Sequence, residues 1–222
     1  MLIRIFAVFS FLATQAALLY YAGFLQNWTP VGVDTATGGS LVQDLLLLLC
    51  FGLVHSALAR PALKRMLYGA LNERLNRTVY NLVASAQLGL LMACWSPWTL
   101  SLWHVDSAVG AGLVYAAFGA GLGLLFWAIF AIDPWHFFGL RQVFGQAPGP
   151  SAALSFRGPY RVLRHPIQTG VILAMWATPH MTAGHALLAA FMTFYSLLAT
   201  LMLEERDLRA QFGADYERYQ QR

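Results

Sequence analysis

Charged residues are scarce in this sequence. They make up 11% of its 222 residues, whereas hydrophobic residues make up 58%. So few polar side chains cannot cover a soluble globule of this size, which excludes that class of protein. The formal net charge of +4 is spread too thinly for a nucleic-acid surface and is typical of membrane topology signals. The composition therefore predicts an integral membrane protein that has the lipid bilayer as its partner and binds no nucleic acid.

Cysteine is equally scarce. Cys50 and Cys94 are the two cysteines of the chain, and both fall within apolar stretches. This pattern excludes a disulfide framework and does not indicate a redox pair or a metal site. We therefore expect two buried free thiols and no metal site.

Long apolar runs, by contrast, follow one another along the whole chain. A helix of about 20 residues spans the roughly 30 Å hydrocarbon core of a bilayer. The last run is too long for one helix and is broken by Pro179, His180 and Gly184, which predicts a hairpin of two helices. The predicted spans are residues 3–25, 41–59, 80–97, 108–132, 167–178 and 186–203. The first run is also compatible with a signal peptide, but the charge distribution favours a retained span.

Basic residues obey one topology. All 14 Lys and Arg residues fall at the N-terminus, in alternate loops or in the C-terminal tail. The opposite loops, residues 26–40, 98–107 and 179–185, contain none. The sequence therefore predicts an all-α transmembrane bundle of about six crossings, a single domain of residues 1–222 with both termini in the cytoplasm.

Two further patterns concern helix packing. In the fourth run Gly112, Ala116, Gly119 and Gly123 recur at a spacing that predicts close approach to another helix. After residue 203 the polar tail keeps apolar residues at helical spacing, which predicts an amphipathic helix lying on the membrane face, over the candidate site described next. Those apolar residues are Leu208, Phe212, Tyr216 and Tyr219.

A cationic segment, residues 157–170, is the candidate active site. Pro166 is a good first helical residue, which places Arg164 and His165 at the N-terminal end of a helix, where an anion is favoured. Folding the hairpin brings Glu204 and Glu205 level with Tyr160 and Arg161, so that acidic and basic groups converge at one membrane boundary. The alternatives are a basic loop that only sets topology and a solvated pair of glutamates.

These residues resemble a known family. The pattern Arg164-His165-Pro166 with Gly170, followed by Glu204-Glu205-x-x-Leu208 and Phe212-Gly213-x-x-Tyr216, is similar to the integral membrane methyltransferases of the isoprenylcysteine carboxyl methyltransferase and phospholipid N-methyltransferase type. Stretches that begin at His55 and at Phe138 resemble the branch that contains methanethiol S-methyltransferase and a family named for denitrification clusters.

The resemblance implies an S-adenosylmethionine-dependent methyltransferase acting on a small thiol, with its active site at the cytoplasmic face of a bacterial inner membrane and residues 133–222 as its catalytic half. It implies cofactor binding by Tyr160, Arg164, His165, Pro166, Gln168, Gly170, Glu204 and Glu205. Residue chemistry adds two expectations. Arg164 and His55 are expected to assist catalysis, because a cation favours a thiolate and polar groups at membrane depth are often functional, with a packing role as the alternative for His55. Trp135, Phe138, Arg141 and Gln142 are expected to bind the acceptor. Two features depart from the family pattern: Gln168 replaces a tyrosine, and residues 133–136 look altered, which allows a different acceptor.

Other functions are compatible with the same pattern. One alternative is an isoprenylcysteine- or phospholipid-type methyltransferase with a lipid-soluble acceptor. Two others belong to different classes: an enzyme similar to sterol reductases with a nicotinamide cofactor, and a non-catalytic membrane protein of nitrogen-oxide metabolism. The compact Arg-His-Pro and Glu-Glu motifs favour methyl transfer. The sequence indicates no particular oligomeric state.

Overall fold

The computed structural model describes residues 1–35, 40–60, 66, 73–96, 98–145 and 157–221. The described chain is mainly helical. The helices are α1 (Leu2–Leu25), α2 (Leu41–Ala59), α3 (Asn76–Cys94), α4 (Ala108–Ile132), α5 (Pro134–Phe137), α6 (Leu140–Phe144), α7 (Pro166–Trp176), α8 (Ala183–Ala199), α9 (Glu205–Phe212) and α10 (Ala214–Gln220). Short 3-10 helices occupy Glu73–Leu75 and Gly158–Arg161, and Thr200–Glu204 is a π-helix. Two short strands are β1 (Ser101–His104) and β2 (His180–Thr182).

Four helical stretches of the described chain are long and apolar enough to cross a membrane. They are α1, α2, α4 and the continuous 30-residue stretch Ala183–Phe212. The bounds of α2 and α4 are those predicted, whereas α3 begins four residues before the predicted position. Helix α3 has 19 residues but is less apolar, and α7 has 11 residues, about 16 Å of helix. The chain is therefore an integral membrane helical protein.

Side-chain caps explain where the spans begin. The Ser40 hydroxyl accepts a hydrogen bond from Gln43 N at 3.3 Å before α2. The Ser107 hydroxyl accepts from Gly110 N at 3.1 Å before α4. Each cap satisfies an amide that the first helical turn leaves unpaired. Each capping residue stands directly before the apolar run from which its helix was located.

Helices α4 and α7 approach each other through two glycines. A Cβ atom on Gly121 would lie 2.8 Å from Gly170 O, and one on Gly170 would lie 2.6 Å from Gly121 O. The predicted packing glycines, by contrast, are Gly112, Gly119 and Gly123, and a Cβ on any of them would meet nothing within 4 Å. That prediction was wrong because spacing shows which residues share a helix face, but the position of the neighbouring helix decides which face is packed.

The end of the bundle opposite the cationic segment is closed by backbone pairing. Strands β1 and β2 pair antiparallel, where the sequence predicted loops only. The Trp103 indole donates to Thr178 O at 3.0 Å, and Gln26 Nε2 donates to Ala177 O at 3.0 Å. These bonds anchor the hairpin turn between α7 and α8 to the loops beside it.

The apolar core lies between six helices, and Phe118 of α4 is one of its buried side chains. Phe24, Leu48, Leu91, Met175 and Leu188 are buried together and come from α1, α2, α3, α7 and α8. Packing of these side chains fixes the relative positions of the helices that carry the candidate site.

Both thiols lie outside this core. Cys50 and Cys94 are free and exposed, so the prediction of buried thiols was wrong. An apolar position on a membrane helix need not face the protein, because lipid solvates the outer faces of the bundle.

Candidate active site

The cationic segment is fitted against the end of α4. Gly158 has φ of +55°, a conformation that glycine adopts without strain. A Cβ atom at Gly158 would lie 2.9 Å from the Trp127 indole nitrogen and 3.2 Å from the Ala131 methyl group. Pro159 is buried, and Pro166 is the first residue of α7. The segment therefore has a defined position beside the last turn of α4.

The acidic pair follows a widened helical turn. Glu205 N donates to Thr200 O, five residues earlier, instead of the α-helical partner four residues earlier. Such π turns occur frequently at functional sites. No pattern in the sequence indicated this turn, which sets the direction of Glu204 and Glu205.

The predicted convergence of acidic and basic groups is confirmed. His165 Nε2 donates to Glu205 Oε1 at 2.7 Å, and an Arg164 Nη atom lies 3.4 Å from the same oxygen. Gln168 Nε2 donates to Glu204 Oε2 at 2.6 Å. The two glutamates thus meet residues 164–168, about one turn further along the chain than the predicted partners Tyr160 and Arg161. The register differs because the hairpin turn and the π turn displace the returning helix.

The two glutamates have different surroundings. The Glu205 side chain is 8% exposed, and besides His165 and Arg164 its carboxylate lies 3.8 Å from an Arg209 Nη atom and accepts a hydrogen bond from Gln220. The Glu204 side chain is 43% exposed. Both described polar contacts of Glu204, with Gln168 and with His165 Nδ1 at 3.6 Å, involve Oε2. Glu205 therefore serves as an internal anchor, and Glu204 keeps an accessible oxygen.

His165 lies between the two carboxylates. Burial lowers the pKa of His165, but the hydrogen bonds to Glu204 and Glu205 outweigh it, so that the net pKa is raised above its ordinary value. The imidazole therefore favours the charged form, with one nitrogen directed at each glutamate.

The C-terminal tail covers this cluster. The Tyr219 hydroxyl donates to Tyr160 O at 2.6 Å, and the side chain of Tyr216 is 1% exposed. Burial raises the pKa of Tyr216, and a hydrogen bond to the Glu205 carboxylate raises it further. Burial and the Glu204 charge likewise raise the pKa of Tyr160. Instead of one uninterrupted tail helix, the structure has α9 and α10 separated at Gly213.

The predicted acceptor residues form a second cluster after α4. Asp133 Oδ1 accepts from the amides of Trp135 and His136, each at 3.1 Å, and Asp133 Oδ2 lies 2.9 Å from an Arg141 Nη atom. Gln142 Nε2 donates to His136 O at 3.1 Å. Burial is the main cause of a lowered pKa of His136. Residues 133–136, which depart from the family pattern, therefore cap the short helix α5 and connect it to α6.

Phe138 and a groove border the second cluster. Phe138 is 7% exposed and packs edge-to-face on Phe11 of α1, so it has a core position. Trp135 and Arg141 line a groove of about 500 Å³ between α1 and α6. The other lining residues are Val8, Leu140, Phe144 and Gly145. The structure therefore places Trp135 and Arg141, but not Phe138, along this open surface.

His55 lies in a third polar group, within the bundle. Its Nε2 atom is 2.7 Å from the Tyr80 hydroxyl, and its ring stacks on Phe51. Arg77 lies over the Tyr80 ring at 5.8 Å and donates to Phe137 O at 2.9 Å. His55 thus connects to the second cluster, whereas Arg164, the other predicted catalytic residue, contacts Glu205 in the first.

Sequence reasoning missed several residues that the structure places in these clusters. Arg77 was counted only as a topology signal, and Tyr80 only as the start of a span. Tyr219 was noted for its helical spacing but was assigned to the membrane face. Gln220 carried no signal at all. Gly170, a predicted cofactor residue, contacts α4, which gives it a packing role in the structure.

Comparison with known proteins identifies the family. The model of the phospholipid methyltransferase family matches residues 105–215, which include the first and second clusters. Methanethiol S-methyltransferase 2 of Bradyrhizobium diazoefficiens is 39% identical over 99% of this chain and 87% of its own length. Methanethiol S-methyltransferase of Mycobacterium tuberculosis is 37% identical over 97% of this chain and 91% of its own length.

A third relative has a different name. Nurim of Danio rerio is 30% identical over 78% of this chain and 66% of its own length. No solved structure matches the chain. The match to the family model and the nearly full-length similarity to named methyltransferases lead to one conclusion: this chain belongs to the phospholipid methyltransferase family and is a membrane methyltransferase.

Proposed function

We propose that the chain transfers a methyl group from S-adenosylmethionine to a small thiol such as methanethiol, releasing dimethyl sulfide. The observation that carries this proposal is the cluster of Arg164, His165, Gln168 and Glu204 beside the buried anchor Glu205. The acceptor follows from the names of the nearly full-length relatives. A phospholipid or prenylcysteine acceptor is the alternative that the experiment must distinguish.

The exposed groups of the cluster fit the methyl donor. Arg164 makes one 3.4 Å contact with Glu205 among the described residues and is half exposed, so most of its five donors can bind a carboxylate. Glu204 keeps an oxygen for an ammonium group or ribose hydroxyls. We propose Tyr160, His165, Pro166, Gln168 and Gly170 as the remaining wall of this site.

The reaction needs little covalent machinery from the protein. The bound donor supplies a methyl group on a positively charged sulfur, which keeps the electron pair of the broken carbon–sulfur bond when the thiolate sulfur forms the new one. The chain has to orient the acceptor in line and exclude water. Arg164 favours the ionised thiol, and the proton leaves to solvent at the membrane boundary.

For the acceptor we propose the second cluster. Trp135 and Arg141 line the 500 Å³ groove, and Gln142 keeps a buried carbonyl oxygen without a partner in the described chain. A small apolar thiol partitions into the bilayer and can reach these residues from the membrane. Phe138 would shape the pocket from its core position, and His55 would assist through the Tyr80 and Arg77 contacts.

The proposed topology has six crossings, with α3 and α7 added to the four long spans and both termini in the cytoplasm. The site then faces the cytoplasm, and the tail lies against the membrane face. Single cysteines at Thr35 and Gly145, in a chain whose Cys50 and Cys94 are alanine, test this arrangement. A membrane-impermeant maleimide added to intact cells should label position 35 only, and labelling of position 145 would refute it.

The function is tested with purified protein, S-adenosylmethionine and methanethiol. Headspace gas should contain dimethyl sulfide. Release should stop in Arg164→Ala and continue in Arg206→Ala, whose side chain is 71% exposed and contacts Asp207 at 3.7 Å. Methylation of a lipid or a prenylcysteine analogue without dimethyl sulfide would overturn the thiol assignment. Thermal stabilisation by reduced nicotinamide but not by S-adenosylhomocysteine would overturn methyl transfer altogether.

A further inference from the structure

The last helix of the described chain, α10, lies over the cationic segment. The Tyr219 hydroxyl donates to Tyr160 O at 2.6 Å and lies 3.2 Å from Leu163 O. A hydroxyl has one hydrogen, so the shorter bond is the main one and the second contact shares it. Tyr160 belongs to the four-residue 3-10 helix Gly158–Arg161, and Leu163 follows the end of that helix by two residues. At such an end, carbonyls lack helical partners further along the chain. Tyr219 therefore supplies the donor that this short helix cannot provide for itself.

The same helix reaches the buried glutamate. Gln220 Nε2 donates to Glu205 Oε2, while His165 and Arg164 contact Oε1. On one oxygen this carboxylate thus meets donors from the two residues before α7, and on the other it meets a donor from the tail. The side chain that precedes the two donors in α10 points elsewhere: Arg218 is exposed and pairs with Asp215.

A single glycine directs α10 toward the site. Gly213 has φ of +52° and ψ of −129°, a combination that residues with a Cβ rarely adopt. A Cβ atom at this position would have no other atom within 4 Å, so the backbone angle and not lack of space explains the glycine. This turn separates α9 from α10 and changes the chain direction, so that Tyr219 and Gln220 reach the carbonyls and the carboxylate.

We propose that Tyr219 and Gln220 are positioning residues of the active site: Tyr219 fixes the loop of residues 160–163, and Gln220 fixes the Glu205 carboxylate. Their effect on ligand binding is indirect. A loop held at Tyr160 and Leu163 sets the position of the next residue, Arg164, whose side chain is half exposed and contacts Glu205. This role rests on the proposed function only for the identity of the ligand, since the contacts exist without it.

The first test needs no ligand. In Tyr219→Phe the carbonyls of residues 160 and 163 lose their donor, so the loop should open more often while the helices stay folded. Hydrogen exchange measured by mass spectrometry should rise at least about threefold in peptides that cover residues 158–165, because a neutral hydrogen bond contributes this much or more to a local opening equilibrium. Peptides from α2 and α4 should be unchanged. Equal exchange at residues 158–165 in wild type and variant would overturn the proposal.

The second test measures the ligand. Tyr219→Phe and Gln220→Ala should each bind S-adenosylhomocysteine about three- to tenfold more weakly. The KM for S-adenosylmethionine should rise by the same factor, with the KM for the acceptor unchanged. Tyr115→Phe and Gln221→Ala serve as matched controls, since Tyr115 contacts Trp28 instead of the tail and Gln221 is exposed.

The outcomes separate the two proposals. If wild-type protein binds the ligand and both variants bind it equally well, positioning by α10 is wrong and the proposed function stands. If wild-type protein does not bind S-adenosylhomocysteine, the proposed cofactor is wrong, and hydrogen exchange alone decides the role of Tyr219. A tenfold loss of affinity in Tyr115→Phe would show that any lost tyrosine hydroxyl weakens binding, which also overturns the proposal.

Discussion

The adjacent Glu204 and Glu205 should lose different properties when each is replaced by glutamine. Glu205→Gln keeps the shape of the side chain and one accepting oxygen but removes the charge. The charged imidazole of His165 and the guanidinium groups of Arg164 and Arg209 then lose the carboxylate that lies between them. Glu204→Gln removes an equal charge from a side chain that is 43% exposed. We expect the first change to lower stability and the second to weaken binding of the methyl donor.

The magnitude follows from burial and geometry. The bond between His165 and Glu205 is 2.7 Å long, with side chains 16% and 8% exposed, and a hydrogen bond to a charged group contributes about 1.5 to 3 kcal/mol. Arg164 and Arg209 are 51% and 58% exposed and lie farther away, so solvent screens them and they add little. Glu205→Gln should therefore destabilise the protein by about 1.5 to 3 kcal/mol, which corresponds to a melting temperature lower by roughly 3 to 12 °C.

The assay compares both variants in detergent. Melting temperature is followed without ligand, and affinity for S-adenosylhomocysteine is then measured well below each melting point. Glu204→Gln should melt within about 4 °C of wild type, because exposed pairs contribute about 0 to 1 kcal/mol. Its affinity should fall roughly 10- to 150-fold if a charged hydrogen bond to the ligand is lost.

Either of two results would refute this reasoning. If Glu205→Gln melts with wild type while Glu204→Gln is the destabilised variant, then the buried carboxylate is not the anchor of the cluster. If the two variants lose stability and affinity equally, the difference in exposure between the glutamates has no functional consequence.

Three further predictions concern other parts of the molecule. The pKa of His165 is raised in the folded protein, so its charged form stabilises the fold at pH values below about 6.5, the ordinary histidine pKa. This stabilisation is lost as the pH rises through the higher folded-state pKa. The melting temperature of the wild type should therefore fall over that pH interval, and His165→Gln should remove this pH dependence. Gly121→Ala should lower the melting temperature because its Cβ would lie 2.8 Å from backbone atoms, whereas Gly119→Ala should leave it equal or higher, and equal shifts would contradict the assigned packing face. His55→Phe should lower the methyl-transfer rate without changing affinity for S-adenosylhomocysteine, and Tyr80→Phe should do the same to a smaller degree; full activity in both would exclude this group from the reaction.

Much of the helical framework could be predicted because a bilayer imposes simple rules. Backbone groups must pair within each span, so long apolar runs become helices. Caps and prolines then mark their ends, as Ser40, Ser107 and Pro166 do. Positions that depend on a distant partner were not predictable in this way. The pairing of β1 with β2 joins segments that lie far apart in the chain, and the packing face of α4 is decided by Gly170 of another helix.

The candidate site shows the same division between local and distant causes. Arg164, His165, Glu204 and Glu205 stood out because charged groups at helix ends in an apolar chain need partners. Gln168 could only be noted as a replacement for tyrosine, whereas the structure shows that its amide binds Glu204. The tail was assigned to the membrane face without contacts to the site, because an apolar stripe on a polar helix fits a membrane surface and a protein surface equally well.

The π turn explains why the sequence could locate the acidic pair but could not separate its two members. Each residue of a helix is rotated by about 100° from the one before, so one extra residue in a turn changes the direction of every later side chain by about that angle. The turn at Thr200–Glu204 precedes Glu205 directly, and Glu205 is the residue that faces His165. In a regular α-helix from Ala183 onward, the inward direction would fall on a different residue, and a buried carboxylate would no longer meet the cationic segment. The functional difference between two identical neighbours therefore depends on a backbone irregularity that neither hydropathy nor motif spacing contains.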